Sequence, residues 1–320
     1  MKFGLFYELQ LPKSPDGDDW DADAERRIYD DMLEQVELAD EVGFDYVFEV
    51  ERVLKKAMWE EATREIATMM STVPYPGFEG EFFSMPPRNV IPKPLQQPHP
   101  PLWVAASRRE TTMVAGRLGM GSLGFGFETP DELGERAEEY WRLVREECYP
   151  IGHAINPALA VLSTFMMADS DEEAQRRSAN GPGFFSYSLG YYYSPVTGGR
   201  HQPGRQNVYR DYLDRQQALA AAAEPTDEVQ RALFRAAQRR TAIGTEDTVR
   251  TNIKAYEDNH LDVLILVAQC GDRSHEHIME SIERFGTTVL PEFKERHEAE
   301  HRPWRQKQLT GVEHPVNSSI

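Results

Sequence analysis

The stretch PLWVAASRRETTMVAGRLGMGSLGFG, residues 101–126, decides the fold. PLWVAAS (101–107) reads as an apolar strand that stops at Ser107 and gives way at once to charged and hydroxyl residues at the start of a helical pattern. SLGFGF (122–127) is strand-like again, so the segment is a strand, a helix and a second strand, the unit from which parallel sheets are built. The first helical turn carries Arg108, Glu110, Thr111 and Thr112 behind Ser107. Open N–H groups and the positive end of a helix dipole suit a phosphate, and hydroxyls and an arginine add donors. An ordinary serine cap with surface charges is the alternative reading of the same residues.

The pattern recurs outward from this segment. MKFGLFYE (1–8), FDYVFEVE (44–51), PALAVLSTFMMA (157–168) and LDVLILVAQC (261–270) are further strand-like runs, making six in all. Between the first two, residues 23–43 place Ile28, Met32, Val36 and Leu38/Ala39 on one helical face. Near-continuous apolar strands separated by amphipathic helices predict an α/β fold with a parallel sheet covered by helices.

Two regions break the alternation. Residues 72–101 are proline-rich and read as an extended excursion, and residues 180–243 form a long insertion with the aromatic loop FFSYSLGYYYSP. Its Tyr191, Tyr192 and Tyr193 serve either packing or a substrate-pocket wall. The expected organisation is a single domain over 1–291, then a charged, solvated helix and loose tail over 292–320.

The totals narrow the function. With 35 Lys+Arg against 53 Asp+Glu, the formal charge of −18 argues against a surface that follows nucleic-acid phosphates or an anionic membrane. Only Cys148 and Cys270 are present, which excludes a disulfide framework and fits a reducing compartment. Glu8 interrupts the first apolar run, and no run reaches the ~20 residues of a membrane span. A soluble, cytoplasmic protein is expected.

Gly119-Met-Gly121-Ser-Leu-Gly124 matches a dinucleotide fingerprint in letters only, because it follows a helix and leads into a strand. Its glycines are read as a helix end and a turn. His275 and His277 lack metal-ligand spacing, and no G-x-S-x-G or P-loop occurs. In a parallel α/β sheet ligands sit at the carboxyl ends of the strands. Those ends supply Tyr7, Glu8 and Gln10; Glu49, Glu51 and Arg52; Ser107 and Arg108; Thr164; and Gln269.

MKFGLFYE, ELADEVGFDYVFEVE, PKPLQQPHPPLWVAASRRET, DSDEEA and IGTEDTVRTNIKAYEDNHLDVLILV, in this order from Met1 to about Gly271, resemble the bacterial-luciferase-like flavin monooxygenases. The resemblance implies a TIM-barrel-like (β/α)8 fold and reduced FMN bound at the carboxyl ends, supplied by a separate flavin reductase. It also implies O₂ as co-substrate, a small organic substrate and a homo-oligomer as one assembly the family allows. On that reading Ser107, Arg108 and Thr111 hold the flavin phosphate, Tyr7 and Gln269 lie by the ring, and Glu8, Glu51 and Arg52 are the catalytic candidates.

The chain departs from the family after its second strand. Members continue there with a Glu-His-His phrase and two more βα units, whereas here FEVE runs into RVLKKAMWEEA, with Arg52 and Val53 where the histidines stand. Two missing strands preclude closure with the normal stagger, so a smaller or open barrel, a covering partner chain or a truncated product is expected. Two further readings follow from the family: a non-catalytic flavin binder resembling the non-fluorescent flavoprotein of luminous bacteria, and an oxidoreductase using the deazaflavin F420.

Overall fold

The structure, a computed structural model, describes residues 1–7, 9, 11–14, 16–17, 19–49, 58–106, 108–125, 130–179, 181–193, 207–221 and 241–317. In chain order the strands are β1 (Lys2–Tyr7), β2 (Tyr46–Glu49), β3 (Phe78–Glu79), β4 (Ser84–Met85), β5 (Trp103–Ala106), β6 (Gly121–Phe125), β7 (Leu159–Met167), β8 (Ala242–Gly244) and β9 (Val263–Gln269). The helices are α1 (Ala24–Val42), α2 (Trp59–Ser71), α3 (Arg109–Arg117), α4 (Pro130–Glu146), α5 (Asp171–Ser178), α6 (Pro182–Tyr193), α7 (Val208–Ala221), α8 (Glu246–Asp258), α9 (His275–Thr288) and α10 (Leu290–Arg296). A π-helical turn, His297–His301, joins α10 to α11 (Arg302–Gln308).

All six strand-like runs become strands of one parallel sheet in the order β2-β1-β9-β7-β6-β5, with β8 paired to the end of β7. β8 was not read from the sequence, and the segment taken as an aromatic loop begins as the helix α6. The proline-rich excursion contains only the two-residue hairpin β3–β4.

Alternation along the strands sorts the apolar residues into two layers. Phe3, Leu5, Leu264, Leu266 and Val161 face the helices, in a core that also takes Phe285 and Phe293. Phe6, Ala160, Leu162, Val263, Ile265 and Val267 fill the opposite face with Phe48, Trp103 and Leu123 packed against them. Burial on both faces explains why the strands carry almost no polar residues.

That inner layer shows what became of the missing units. β2 and β5 stand at opposite ends of the strand order and share no ladder among the described residues. Nonetheless the Phe48 and Trp103 rings meet edge to face, with centroids 6.1 Å apart and planes at 89°. The sheet therefore curls until its two edges touch through side chains, an open barrel closed by an aromatic contact. Gly121 permits it, because a Cβ there would strike the Trp103 indole. A double-mutant cycle on Phe48→Ala and Trp103→Ala is expected to show a coupling of about 0.5–1.5 kcal/mol in denaturant unfolding. Strict additivity would mean that the edges do not meet.

The C-terminal segment is docked, contrary to the loose tail expected from its charge. Phe293 is buried, Trp304 stacks on His260 at 4.3 Å, and Ile155 pairs with Val316. Asn317 donates from Nδ2 to the His99 carbonyl at 2.7 Å. Among the described residues no helix is long and apolar enough to cross a membrane.

Candidate active site at the carboxyl ends of the strands

α3 starts where β5 ends. Arg108 occupies its cap position in extended backbone (φ −133°, ψ 147°), and its own side chain makes no cap hydrogen bond. The Arg108 carbonyl accepts from the Thr111 and Thr112 N–H groups at 3.1 and 3.4 Å. The Arg108 side chain is exposed and Thr111 half-buried. The first N–H groups of a helix lack intrahelical partners, and Arg108 and Thr111 add two more donors, a donor set that fits a phosphate. Gly119, at φ +67°, turns the chain after α3 toward β6, as expected for the misleading glycine motif.

Tyr7 and Gln269 are register partners across β1 and β9, so the fold brings these two candidates together. Their side chains have different surroundings. Tyr7 is fully buried in the helix-side core, its hydroxyl without a hydrogen-bond partner among the described residues and pushed up from its usual pKa by burial. Gln269 lines a cavity of about 350 Å³ at the carboxyl end of β9 and donates from Nε2 to the Gly271 carbonyl at 3.3 Å. Glu8, Gln10, Glu51, Arg52 and Ser107 lie outside the described residues. Arg108 and Thr111 stand at the other end of the strand order, with β7 and β6 between β9 and β5.

The cavity lies between residues 11–14 with the start of α1 and the end of β9, and the insertion contributes Tyr209 to its wall. Asn207, just before α7, donates from Nδ2 to the Ser14 and Gly17 carbonyls at 2.7 and 2.9 Å. Arg210 donates to the same Gly17 carbonyl at 2.7 Å. These bonds hold residues 11–17 against α7. The Tyr209 hydroxyl donates to Asp272 at 3.3 Å, and burial with that carboxylate raises the phenol to about 12. From α6, Phe185 packs edge to face on Phe6 at 6.3 Å, covering the inner layer at this end. Tyr191, of the tyrosine cluster, lies 6.2 Å from the Tyr187 ring.

One cavity residue was missed by the sequence reading. Arg273 is 6% exposed and donates from Nη1 to the Val267 and Ala268 carbonyls at 2.8 and 2.9 Å, while burial lowers its guanidinium from the ordinary value. The available signal was its place as the first cation beyond the apolar run 261–270. A larger hollow of about 1030 Å³ lies between α4, Asp258–His260 and α11 on the helix face. It lies off the strand ends, where ligands of parallel α/β sheets bind, so the site is assigned to the smaller cavity.

A curled parallel sheet covered by helices defines an α/β protein of barrel type. The family model described as luciferase-like monooxygenase matches residues 55–262, and the chain belongs to that family. It is 28% identical over 217 residues to the oxygenase component of a flavin-dependent trigonelline monooxygenase from Acinetobacter baylyi, over 68% of this chain and 55% of that protein. The chain thus spans about half the length of that curated relative. The monooxygenase RslO1 of Streptomyces bottropensis has a similar fold, with TM-score 0.58, 18% identity, and coverage of 92% of this chain and 100% of that one. So does the oxygenating constituent of the 3,6-diketocamphane monooxygenase of Pseudomonas putida in complex with FMN, with TM-score 0.55, 16% identity, and coverage of 91% and 98%.

Proposed function

We propose that the protein is the oxygenase part of a two-component flavin monooxygenase, taking reduced FMN from a separate reductase and oxidising a small organic substrate with O₂. The observation that carries this reading is the N-terminus of α3, flanked by Arg108 and Thr111, at the carboxyl end of the sheet of a luciferase-like chain. When bound, reduced flavin supplies the two electrons with which one atom of O₂ enters the substrate and the other leaves as water. The chain's own residues bind and orient. Arg108, Thr111 and the turn they flank hold the phosphate, with Ser107 a further donor there. Gln269 lies toward the ring and the substrate and Phe185 over the inner layer excludes water, whereas the Tyr7 side chain turns into the helix-side core and is withdrawn from the ring. Glu8, Glu51 and Arg52 remain the proposed catalytic side chains, Arg52 as a fixed charge because a guanidinium does not give up its proton near neutral pH.

The test separates the phosphate from the ring. Arg108→Ala with Thr111→Ala is expected to weaken FMN binding about ten- to a hundredfold while leaving riboflavin binding unchanged. Equal losses for the two flavins, or none, would remove the assignment. Tighter binding of F420 than of FMN in the same titration would replace the cofactor. The open strand order between β2 and β5 favours a second reading, a flavin binder without turnover. Product formation from any substrate in the presence of a flavin reductase would end it.

A further inference from the structure

The strap of chain from Leu9 to Asp23, which leads from the carboxyl end of β1 to α1, is strained at both ends. Leu9 (φ 44°) and Asp23 (φ 61°) hold left-handed backbone without being glycine, a conformation that persists where surrounding contacts enforce it. Asp23 stands at the cap of α1, and its side chain makes no cap hydrogen bond, so it does not stabilise that turn itself.

Between these ends the strap is tied to itself. Trp20 donates from Nε1 to the Leu11 carbonyl at 2.9 Å, and the Lys13 ammonium lies over the Trp20 ring, 4.5 Å from its centroid. The Gly17 N–H donates to the Ser14 carbonyl at 3.3 Å. A segment packed by its own side chains and strained where it joins the fold moves as one piece, with the rotation taken up at its ends.

What holds the strap down comes from the insertion. Asn207 is buried and directs Nδ2 at both the Ser14 and the Gly17 carbonyl, and Arg210 Nη2 reaches the Gly17 carbonyl as well. On the strap, Leu11, Pro12, Lys13 and Ser14 line the 350 Å³ cavity, and Gln269, Gly271 and Asp272 line it from the end of β9. Tyr209 ties α7 to that second rim through Asp272. One rim of the cavity is therefore the end of a strand paired on both sides, and the other is a strained strap pinned by side chains.

We propose that the strap is a lid on the cavity, hinged at Leu9 and Asp23 and latched by Asn207 and Arg210, so that the insertion sets access to the strand ends. The lid acts on whatever ligand enters and stands apart from the flavin reading.

The experiment is hydrogen–deuterium exchange of the full chain, resolved by peptide, in Asn207→Asp and Arg210→Ala. Aspartate at 207 is isosteric: its carboxylate still accepts from the Arg210 N–H in the first turn of α7, a bond of 3.0 Å in the parent, but donates nothing to the two strap carbonyls. The loss of two bonds is expected to raise exchange about ten- to a hundredfold in both rims, 9–23 and 270–273, while α7 (208–221) and β9 (263–269) exchange as in the parent. Arg210→Ala removes one bond and is expected to move the same rims by a smaller factor, about three- to tenfold. Joint acceleration of the two rims is the mark of a lid, since its opening uncovers both. Unchanged exchange in 9–23 overturns the proposal. So does acceleration of 9–23 alone, which is fraying of the strap, and so does equal acceleration of all four segments, which makes Asn207 a support of the whole fold. Circular dichroism establishes that each variant is folded, and if Asn207→Asp is not, Arg210→Ala decides by the same criteria.

Discussion

Phe285→Ala is expected to cost about 3–5 kcal/mol of folding stability, a large share of the roughly 5–15 kcal/mol of a typical domain. Phe285 is fully buried on α9, and its ring touches Phe3 of β1 at 5.2 Å, Phe44 after α1 at 5.5 Å and Phe165 of β7 at 5.7 Å. Phe3 in turn meets Phe293 of α10 at 5.6 Å. One side chain thus joins two strands to the helical layer, and neighbours on three separate segments cannot all collapse into the space that its removal opens. The measurement is equilibrium unfolding in denaturant, where the midpoint should fall with an unchanged slope. Phe82→Ala, at a ring 42% exposed, is the control and should shift stability by no more than about 0.5 kcal/mol. Equal, small effects at both positions would show that the helices do not pack on the sheet in this way.

The same residues show how far sequence reasoning reaches. Phe3 and Leu5 belong to an apolar run that announces a strand, and Phe285 sits on an amphipathic helix face, so both layers of the core were legible from period alone. β8 was not, because three residues, Ala242–Gly244, are too short to show a period. It is placed instead by Asp171, which accepts from the Thr245 N–H at 2.8 Å and the Thr248 hydroxyl at 2.9 Å. The meeting of Phe48 and Trp103 was equally hidden. It depends on the curl of the sheet, a property of all the strands together, and no local pattern records it.

The site divides along the same line. Arg108 and Thr111 are proposed from the sequence because a strand that stops before a hydroxyl-rich helix start is a local signal, and the structure puts that helix start after β5. Tyr7 and Gln269 were found as strand ends, yet only the structure shows that the tyrosine turns into the helix-side core while the glutamine lines the cavity. Arg273 was passed over because an arginine after a strand is ordinarily a surface residue. Its burial and its bonds to the Val267 and Ala268 carbonyls are facts of three dimensions.

At the amino ends of the strands, stability should fall as the solution is acidified from about pH 6.5 toward 4, and His301 should be the main cause. His301 is 6% exposed in the π-helical turn, and neither of its ring nitrogens has a hydrogen-bond partner among the described residues. Burial, reinforced by the Met1 amine and His297, holds it down at about 2. Asp262 Oδ1 lies 3.5 Å away, and burial raises that carboxyl to about 6, so at neutral pH a neutral imidazole faces a carboxylate and no ion pair forms. In the unfolded chain His301 takes up a proton below about 6.5 and in the folded chain it does not, so the stability it confers is present above that pH and is lost as pH falls. His297, lowered to about 4 mainly by burial, acts in the same direction but is closer to solvent and is discounted. Asp262 opposes both, because its folded form keeps a proton up to about pH 6 and its stabilising effect disappears as pH rises from 3.8 to that value. The sum is a net excess of up to one proton in the unfolded state, at about 1.4 kcal/mol per pH unit, or about 2 kcal/mol lost between pH 6 and 4 after the discount. His301→Leu removes the largest contribution and should leave stability nearly flat over that window when unfolding midpoints are compared at pH 6, 5 and 4. A variant that still loses stability as steeply as the parent would place the acid sensitivity elsewhere in the chain.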